Sequence, residues 1–389
     1  MAVDFSFGTY RTTYKNKYHK EALNYALDSG ITNIDTSSNY MNGETEVLIA
    51  QVLKNRKRED ITIVSKGGYI QSANLQRVVD GWKINDIVEY NQSCFHCIDP
   101  KFLKDQIDNS LKRLGTSYID IYLLHNPEYY LLKNITEHSS QEDIKKHQDI
   151  MQNRIKKAFE FLENEVKNGT IKGYGISSNS FAKKDDDIHF LEYRYLLDYA
   201  KEFGGKGHSF KAIQFPMNPF EIDGEAAGIW GYKNGLEVQV NRPLNATLPE
   251  GMLRLASYDE CEKFDELLDK MKQIPNDEMQ KLITLLLDAK HNYSWAGQVD
   301  DTIDYQTVPF IMEHIKTDEI YHDLIYDFIK CYKKSVKHHL SKLIAIRLNM
   351  NDSIDKQAVN FLKEKEYISK ILIGMRDKEY VDRILTLYS

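Results

Sequence analysis

The sequence has no uninterrupted apolar run of the roughly 18–20 residues that a membrane-spanning helix needs. Its first residues, Met-Ala-Val-Asp-Phe-Ser-Phe, lack the basic and then apolar regions of a signal peptide. Basic residues are in the minority, with 51 lysines and arginines against 58 acidic residues and a net charge of -7, which disfavours a nucleic-acid partner. These absences predict a cytoplasmic protein that binds a small molecule and neither a membrane nor a nucleic acid.

Cysteine is also scarce, with four in 389 residues, at positions 94, 97, 261 and 331. This number is too small for a disulfide scaffold of this size, and in a cytoplasmic chain we expect reduced thiols. Cys94, His96 and Cys97 lie close together in the sequence, but no second Cys/His pair with the spacing of a zinc finger follows them. We therefore predict no metal site.

Short β-type runs alternate with amphipathic helical runs over most of the chain, an order that favours a parallel sheet with crossover helices. The predicted strands are 3–9, 31–35, 61–66, 118–125, 171–177, 211–215, 236–241 and 368–374. The predicted helices between and after them are 18–29, 44–54, one opening at 99–100, 143–166, 190–203, 224–234, 355–365 and 377–388. Eight strand and helix pairs predict an α/β fold, a (β/α)8 TIM barrel that forms a single catalytic domain over residues 1–389.

Between about residues 246 and 348 the pattern consists of helices alone, which predicts a large helical insertion after strand seven. Its apolar stripes, such as Leu282, Ile283 and Leu286, indicate a packed subdomain. The insertion leaves strand seven on the catalytic face of a barrel. Two roles stay open for it, a lid over the substrate cleft, which we favour, and an interface for an oligomer.

Reactive groups of such barrels lie at the carboxyl ends of the strands. Asp35, Tyr40, Lys66 and His125 fall there and make chemical sense together. A phenol needs help to act as a proton donor at neutral pH, and an adjacent lysine, held charged by a carboxylate, lowers its pKa. A neutral imidazole can then orient the substrate oxygen.

These residues and their flanks resemble the aldo-keto reductase superfamily. The matching stretches are Asn-Ile-Asp-Thr-Ser-Ser-Asn-Tyr ending at Tyr40, Ile-Val-Ser-Lys ending at Lys66, Ile-Asp-Ile-Tyr-Leu-Leu-His-Asn-Pro around His125, Ile-Lys-Gly-Tyr-Gly-Ile-Ser ending at Ser177, Ala-Ile-Gln-Phe-Pro-Met-Asn-Pro around Gln214, and Ile-Leu-Ile-Gly-Met-Arg-Asp around Arg376. The resemblance covers about residues 5–245 and 345–389. It implies a barrel that binds NADPH or NADH without a Rossmann domain, and the sequence indeed has no strand-linked G-x-G-x-x-G.

The resemblance also implies a role for each matched residue. Tyr40 would be the general acid, Lys66 and Asp35 its tuning pair, and His125 the group that orients the substrate. The residues implied at the cofactor are Thr9, Asp35, Ser177, Ser178, Gln214, Asn241, Arg242, Gly374, Arg376 and Tyr380. Three positions depart from the family pattern: Ser178 replaces the usual Asn, Asn241 a stacking aromatic, and Tyr380 a frequent second basic residue.

The sequence therefore predicts an NAD(P)(H)-dependent oxidoreductase that transfers a hydride between nicotinamide and a carbonyl or alcohol substrate, an aldehyde, ketone or sugar. Arg376 favours NADP(H) because its guanidinium suits a 2′-phosphate, with NAD(H) as the alternative. A competing hypothesis is a redox-sensing scaffold that retains the barrel and the nucleotide but has little catalysis.

Overall fold

A computed structural model describes residues 3–249, 251–347 and 353–388. The chain divides into two compact units. Unit 1 comprises Met1–Pro243 and Leu362–Ser389, and unit 2 comprises Leu244–Phe361. In the described part of the chain, no helix has the length and apolar character needed to cross a bilayer.

Unit 1 is a closed barrel of eight parallel strands, which confirms the predicted fold class. The strands are β1 (Asp4–Gly8), β2 (Asn33–Asp35), β3 (Thr62–Gly67), β4 (Ile121–His125), β5 (Tyr174–Ser177), β6 (Phe210–Pro216), β7 (Glu237–Asn241) and β8 (Lys370–Gly374). Each strand pairs with its neighbours in sequence, and β8 pairs with β1 to close the ring.

Helices follow the strands around the barrel. They are Lys17–Asp28, Glu44–Leu53, Pro100–Leu114, Tyr129–Asn134, Gln141–Lys167, Leu196–Gly204, Glu225–Lys233 and Lys378–Arg383. The helix Pro100–Leu114 shows the local signals clearly. Asp99 caps its first turn by accepting a hydrogen bond from the backbone N of Lys101, and Gly115 ends it at a φ of +64° that suits glycine.

Packing inside the barrel depends on side-chain size. Val64, Ile121, Leu123 and Ala212, from β3, β4 and β6, form a buried apolar cluster. Gly175 on β5 is required here because a Cβ atom would lie 2.0 Å from the backbone oxygen of Ala212. In a barrel of this kind the reactive site lies at the strand ends.

The helix predicted over 190–203 begins only at Leu196. The preceding segment is irregular because its aromatic side chains pack against distant residues. The ring of Tyr193 contacts Phe181, Phe190 and Trp230, with centroid distances of 5.1–6.0 Å. Tertiary packing thus overrides the local helical pattern.

The loop after β3, for which the sequence predicts no structure, contains a small antiparallel sheet. Its strands are Tyr69–Ile70, Val88–Asn91 and Cys94–His96, and a helix spans Ser72–Val79. His96 is buried, and its Nε2 donates to the backbone oxygen of His125 at 2.7 Å. Among the described residues, no three His, Cys, Asp or Glu side chains are grouped to hold a metal ion.

Unit 2 has its own hydrophobic core. Its helices are Phe264–Lys272, Asp277–Ala289, Ala296–Thr302, Val308–His314 and His322–Arg347, and the helix Ile354–Lys363 begins in unit 2 and ends in unit 1. Phe328, Tyr332 and Val336 of the longest helix are fully buried in this core, together with Val299 and Ile303.

Two expectations about unit 2 are wrong. Its first element is a β-hairpin, Asn245–Leu248 with Gly251–Arg254, and not a helix. Pro249 and Gly251 explain this, since proline disrupts a helix interior and Gly251 has a φ of +132°.

In addition, Cys261 and Cys331 form a disulfide, with Cα atoms 5.7 Å apart, so the four cysteines are not all reduced. A count of cysteines could not reveal a pair 70 residues apart in sequence.

Candidate active site

The four side chains singled out for chemistry lie at the carboxyl ends of three neighbouring strands. Asp35 is the last residue of β2, Lys66 is near the end of β3, and His125 is the last residue of β4. Tyr40 begins a short 3-10 turn after β2. Because β2, β3 and β4 are adjacent and parallel, these ends meet on one face of the barrel.

The ammonium of Lys66 is the centre of this group. It is fully buried, and its Nζ donates to Asp35 Oδ1 at 2.7 Å and to the backbone oxygen of Thr36 at 2.9 Å. The hydroxyl of Tyr40 lies 3.5 Å from the same Nζ. The arrangement places a cation between a carboxylate and a phenol, away from water.

The expectation that Lys66 makes the Tyr40 phenol more acidic is not met. Burial, then the Asp35 carboxylate and the neighbouring Tyr10, raise the pKa of Tyr40 well above its usual value near 10. Burial also lowers the pKa of Lys66, and the contact with Asp35 opposes this shift. Desolvation is the largest of these causes, and Tyr40 keeps its proton at neutral pH.

His125 is buried and neutral. Burial, and then the charge of Lys66 and the nearby His96, lower the pKa of His125 well below 6.5. Ser37 Oγ lies 3.0 Å from His125 Nδ1, and the ring of Tyr40 meets the imidazole edge to face at 6.0 Å. A neutral imidazole held in this way has its other nitrogen available for a substrate oxygen.

A chain of amide and hydroxyl groups continues from Asp35 across β5, β6 and β7. Ser177 Oγ donates to Gln214 Oε1 at 2.9 Å, and Gln214 Nε2 donates at 2.9 Å to both Asp35 Oδ2 and Gln239 Oε1. Asn241 Nδ2 lies 3.5 Å from Gln214 Oε1. In the part of the chain that the structure describes, Asn241 Oδ1 is buried without a hydrogen-bond partner. This acceptor fits the amide N–H of a nicotinamide carboxamide.

The family model for the aldo/keto reductase family matches residues 5–220, more than half of the sequence. The chain belongs to the aldo/keto reductase family.

This aldo/keto reductase is similar to several curated proteins over limited stretches. It is 32% identical over 108 residues to the aldo-keto reductase YhdN of Bacillus subtilis (strain 168). This match covers 28% of this chain and 28% of the relative. It is 31% identical over 96 residues to an NADH-specific methylglyoxal reductase of Escherichia coli (strain K12), covering 25% of this chain and 27% of the relative. The matched part thus spans little more than a quarter of either relative's length.

The fold is also that of a solved family member. The holo form of an aldo-keto reductase from Bacillus halodurans superposes with a TM-score of 0.55 at 16% sequence identity, covering 100% of this chain and 87% of that chain. At this identity the similarity concerns the fold alone. It confirms the barrel as the family architecture.

Thr9 and Ser178, two further candidate cofactor residues of this aldo/keto reductase, also have protein partners. Thr9 is buried, and its Oγ1 donates to the backbone oxygen of Asp35 at 2.7 Å, so it fixes the end of β2 against β1. Ser178 Oγ donates to Glu128 Oε2 at 2.9 Å. The hydroxyl of Ser178 is therefore engaged with the protein, and its role at the cofactor stays a prediction.

Arg242, which follows β7, forms an ion pair. Its guanidinium donates to Glu221 Oε1 at 2.7 Å, and burial lowers its pKa. Its backbone has a φ of +53°, unusual for a residue other than glycine. The structure thus holds Arg242 near the strand end through Glu221.

Of the remaining candidates, Gly374 is the last residue of β8, Arg376 lies in the turn that follows, and Tyr380 lies in the first turn of the helix Lys378–Arg383. Arg376 and Tyr380 line a surface pocket of about 240 Å³ together with Asn16, Tyr18, His19 and Asp377. The side chain of Asp377 caps the following helix by accepting from Tyr380 N at 3.1 Å. Of these groups, the guanidinium of Arg376 has the charge and the hydrogen-bond donors that suit a phosphate.

Sequence reasoning missed three polar residues of the site, Ser37, Glu128 and Gln239. All three are at most 1% exposed. In the sequence, Gln239 looks like an ordinary polar residue of a strand with alternating polar and apolar residues, and Glu128 looks like an ordinary carboxylate of a surface loop. Of the three, only Ser37 could have been found from the sequence, because it lies within the matched stretch around Asp35.

Proposed function

We propose that this protein is an NAD(P)(H)-dependent oxidoreductase that interconverts a small carbonyl compound and the corresponding alcohol. The observation that carries the proposal is Lys66 Nζ, buried between Asp35 Oδ1 at 2.7 Å and the Tyr40 hydroxyl at 3.5 Å. A buried cation beside a protonated phenol is the arrangement needed to release a proton to an oxygen that gains negative charge. The name of the methylglyoxal reductase relative is consistent with a small carbonyl substrate.

In this proposal Tyr40 is the general acid in the direction of reduction. Its raised pKa keeps the proton on the phenol until the substrate oxygen gains an electron pair, and Lys66 then stabilises the phenolate. His125, neutral at pH 7, hydrogen-bonds the substrate oxygen and orients it. A bound reduced nicotinamide would supply the hydride.

The residues present fit such a cofactor. Ser177, Gln214 and Asn241 would hold the carboxamide, and the orphaned Asn241 Oδ1 supplies the observation for this assignment. Arg376 would contact the adenosine end, which favours NADP(H) through its charge. NAD(H) is the alternative, and one relative is named as NADH-specific.

Fluorescence titration with NADPH and NADH, followed by a screen of aldehydes, ketones and sugars, tests this function. Tyr40→Phe should bind cofactor nearly as well as wild type but turn over at least ~10²-fold more slowly, because it removes the proton donor and keeps the ring. Tyr199→Phe is a matched control, since the Tyr199 hydroxyl donates to Gln152 Oε1, between two helices outside the barrel. Undiminished turnover in Tyr40→Phe would exclude the assignment, and cofactor binding without any turnover in wild type would favour the scaffold hypothesis.

We also propose that residues 246–348 are an insertion within one catalytic domain and that the protein acts in the cytoplasm. The buried core of unit 2 supports a folded insertion in place of a loop. Its role as a lid or as an oligomer interface stays a prediction, and so does the absence of nucleic-acid and membrane partners.

A further inference from the structure

A buried carboxylate joins the loop after β4 to the turn after β5. Glu128 lies three residues after His125 and is 1% exposed. Its Oε2 accepts from Ser178 Oγ at 2.9 Å, and its Oε1 accepts from the backbone N of Asn179 at 2.8 Å. Ser178 Oγ in turn accepts from the backbone N of Ser180 at 3.1 Å. One side chain therefore satisfies most of the donors of this turn.

The turn is directly attached to the proposed nicotinamide site. Ser177, which immediately precedes it, donates to Gln214 Oε1, and the backbone N of Ser178 donates to the backbone oxygen of Gln214 at 2.9 Å. A shift of the turn would therefore move the hydroxyl of Ser177 relative to Gln214. Errors of about 1 Å in such a site can cost ~10²-fold in rate.

We propose that Glu128 is a positioning residue whose ionised carboxylate holds the turn at Ser178 and Asn179, and that cofactor affinity depends on this ionised form. The inference rests on the proposed function, because it assigns the turn to the nicotinamide end of the cofactor. It adds a residue that does not touch substrate or cofactor and acts through Ser178.

The surroundings of Glu128 make the pH dependence of cofactor affinity observable near neutral pH. Burial raises the pKa of Glu128 to about 7, and the hydrogen bonds from its own backbone N–H, from Ser178 and from Asn179 partly oppose the shift. The titratable groups that face it are the phenols of Tyr69 and Tyr129, both with raised pKa values and both neutral in this range. Protonation removes the negative charge and turns one of the two accepting oxygens into a donor, so the hydrogen bonds that hold the turn become weaker.

A second buried glutamate provides the matched control. Glu163 is 3% exposed and accepts from Tyr174 Oη at 2.9 Å and from the backbone N of Ser209 at 2.7 Å. These partners lie at the amino ends of β5 and β6, the end of the barrel opposite the proposed site. Glu163→Gln therefore perturbs a similar buried carboxylate on the same strands without affecting the turn.

The experiment measures the dissociation constants of NADPH and NADH by fluorescence titration from pH 5.5 to 8.5 for wild type, Glu128→Gln and Glu163→Gln. NADH lacks the titratable 2′-phosphate and separates cofactor ionisation from protein ionisation. If only the ionised form binds, wild-type affinity should fall about tenfold between pH 8 and pH 6. Glu128→Gln should remove this dependence, and Glu163→Gln should retain it.

Ser178→Ala provides a second variant in case Glu128→Gln does not fold. It removes one donor to the carboxylate, so the midpoint of the affinity profile should move to higher pH. A wild-type profile that is flat between pH 6 and 8, or an unchanged profile in Glu128→Gln, would overturn the inference alone. A wild-type protein that binds neither cofactor at any pH would instead overturn the proposed function, and this inference with it.

Discussion

The buried ion pair between Lys66 and Asp35 should stabilise the fold only while both partners are present. Lys66 is 0% exposed and Asp35 4%, with 2.7 Å between Nζ and Oδ1. Lys66→Met leaves the Asp35 carboxylate buried, with the Gln214 amide as its remaining side-chain donor at 2.9 Å. Breaking one side of such a pair costs about 3–5 kcal/mol because an uncompensated charge stays in a low-dielectric site.

The double variant Asp35→Asn with Lys66→Met separates stability from chemistry. It removes both charges, and asparagine keeps an oxygen for Gln214, so we expect it to recover at least half of the loss seen in either single variant. Turnover should not recover, since the phenolate of Tyr40 would still lack its cation.

Unfolding by urea, followed by tryptophan fluorescence, measures these changes. The protein has three tryptophans, and Trp82 and Trp230 lie in unit 1 while Trp295 lies in unit 2. In a Trp295→Phe background, tryptophan fluorescence therefore reports the unfolding of unit 1. Lys104→Met is the control in the same unit. The side chains of the Lys104–Asp108 pair are 45% and 40% exposed, so losing this pair should change the free energy of unfolding by less than about 1 kcal/mol. Additive losses in the double variant, or a Lys66→Met protein as stable as the control, would refute the reasoning.

Three further predictions concern the cofactor, acid stability and unit 2. Arg376→Ala should weaken NADPH binding by roughly 1.5–3 kcal/mol and barely change NADH binding in fluorescence titrations, whereas equal losses would exclude a 2′-phosphate contact. Burial lowers the pKa of His96 to about 3, so the unfolded chain binds a proton below pH 6.5 that the folded chain does not. Wild type should therefore lose about 3 kcal/mol relative to His96→Gln between pH 7.5 and pH 4 in urea unfolding, and parallel curves would contradict this. Replacing residues 250–340 by a short Gly/Ser linker should leave a folded barrel that binds cofactor but has lost substrate selectivity in a carbonyl screen, while native selectivity with a changed subunit count would identify an interface.

The barrel was predictable because its signals are local. Period-2 and period-3.6 patterns and the helix start at Asp99 each lie within one element, and together they led to eight strands in the order that the structure has. The positions of Asp35, Lys66 and His125 followed as well, since parallel strands of a barrel all end on one face. The prediction of a helix before Leu196 was wrong because Tyr193 packs against the rings of Phe181 and Trp230, which lie outside this segment of the sequence.

By itself, the sequence determined the fold class, the family and which residues stand at the strand ends. Only the tertiary structure decided how those residues behave. Gln214 donates to Asp35 across 179 residues of sequence, burial and not Lys66 governs the pKa of Tyr40, and Glu128 becomes a buried acceptor for the turn after β5. Hydrogen-bond partners and desolvation depend on distances between chain segments that no local pattern encodes.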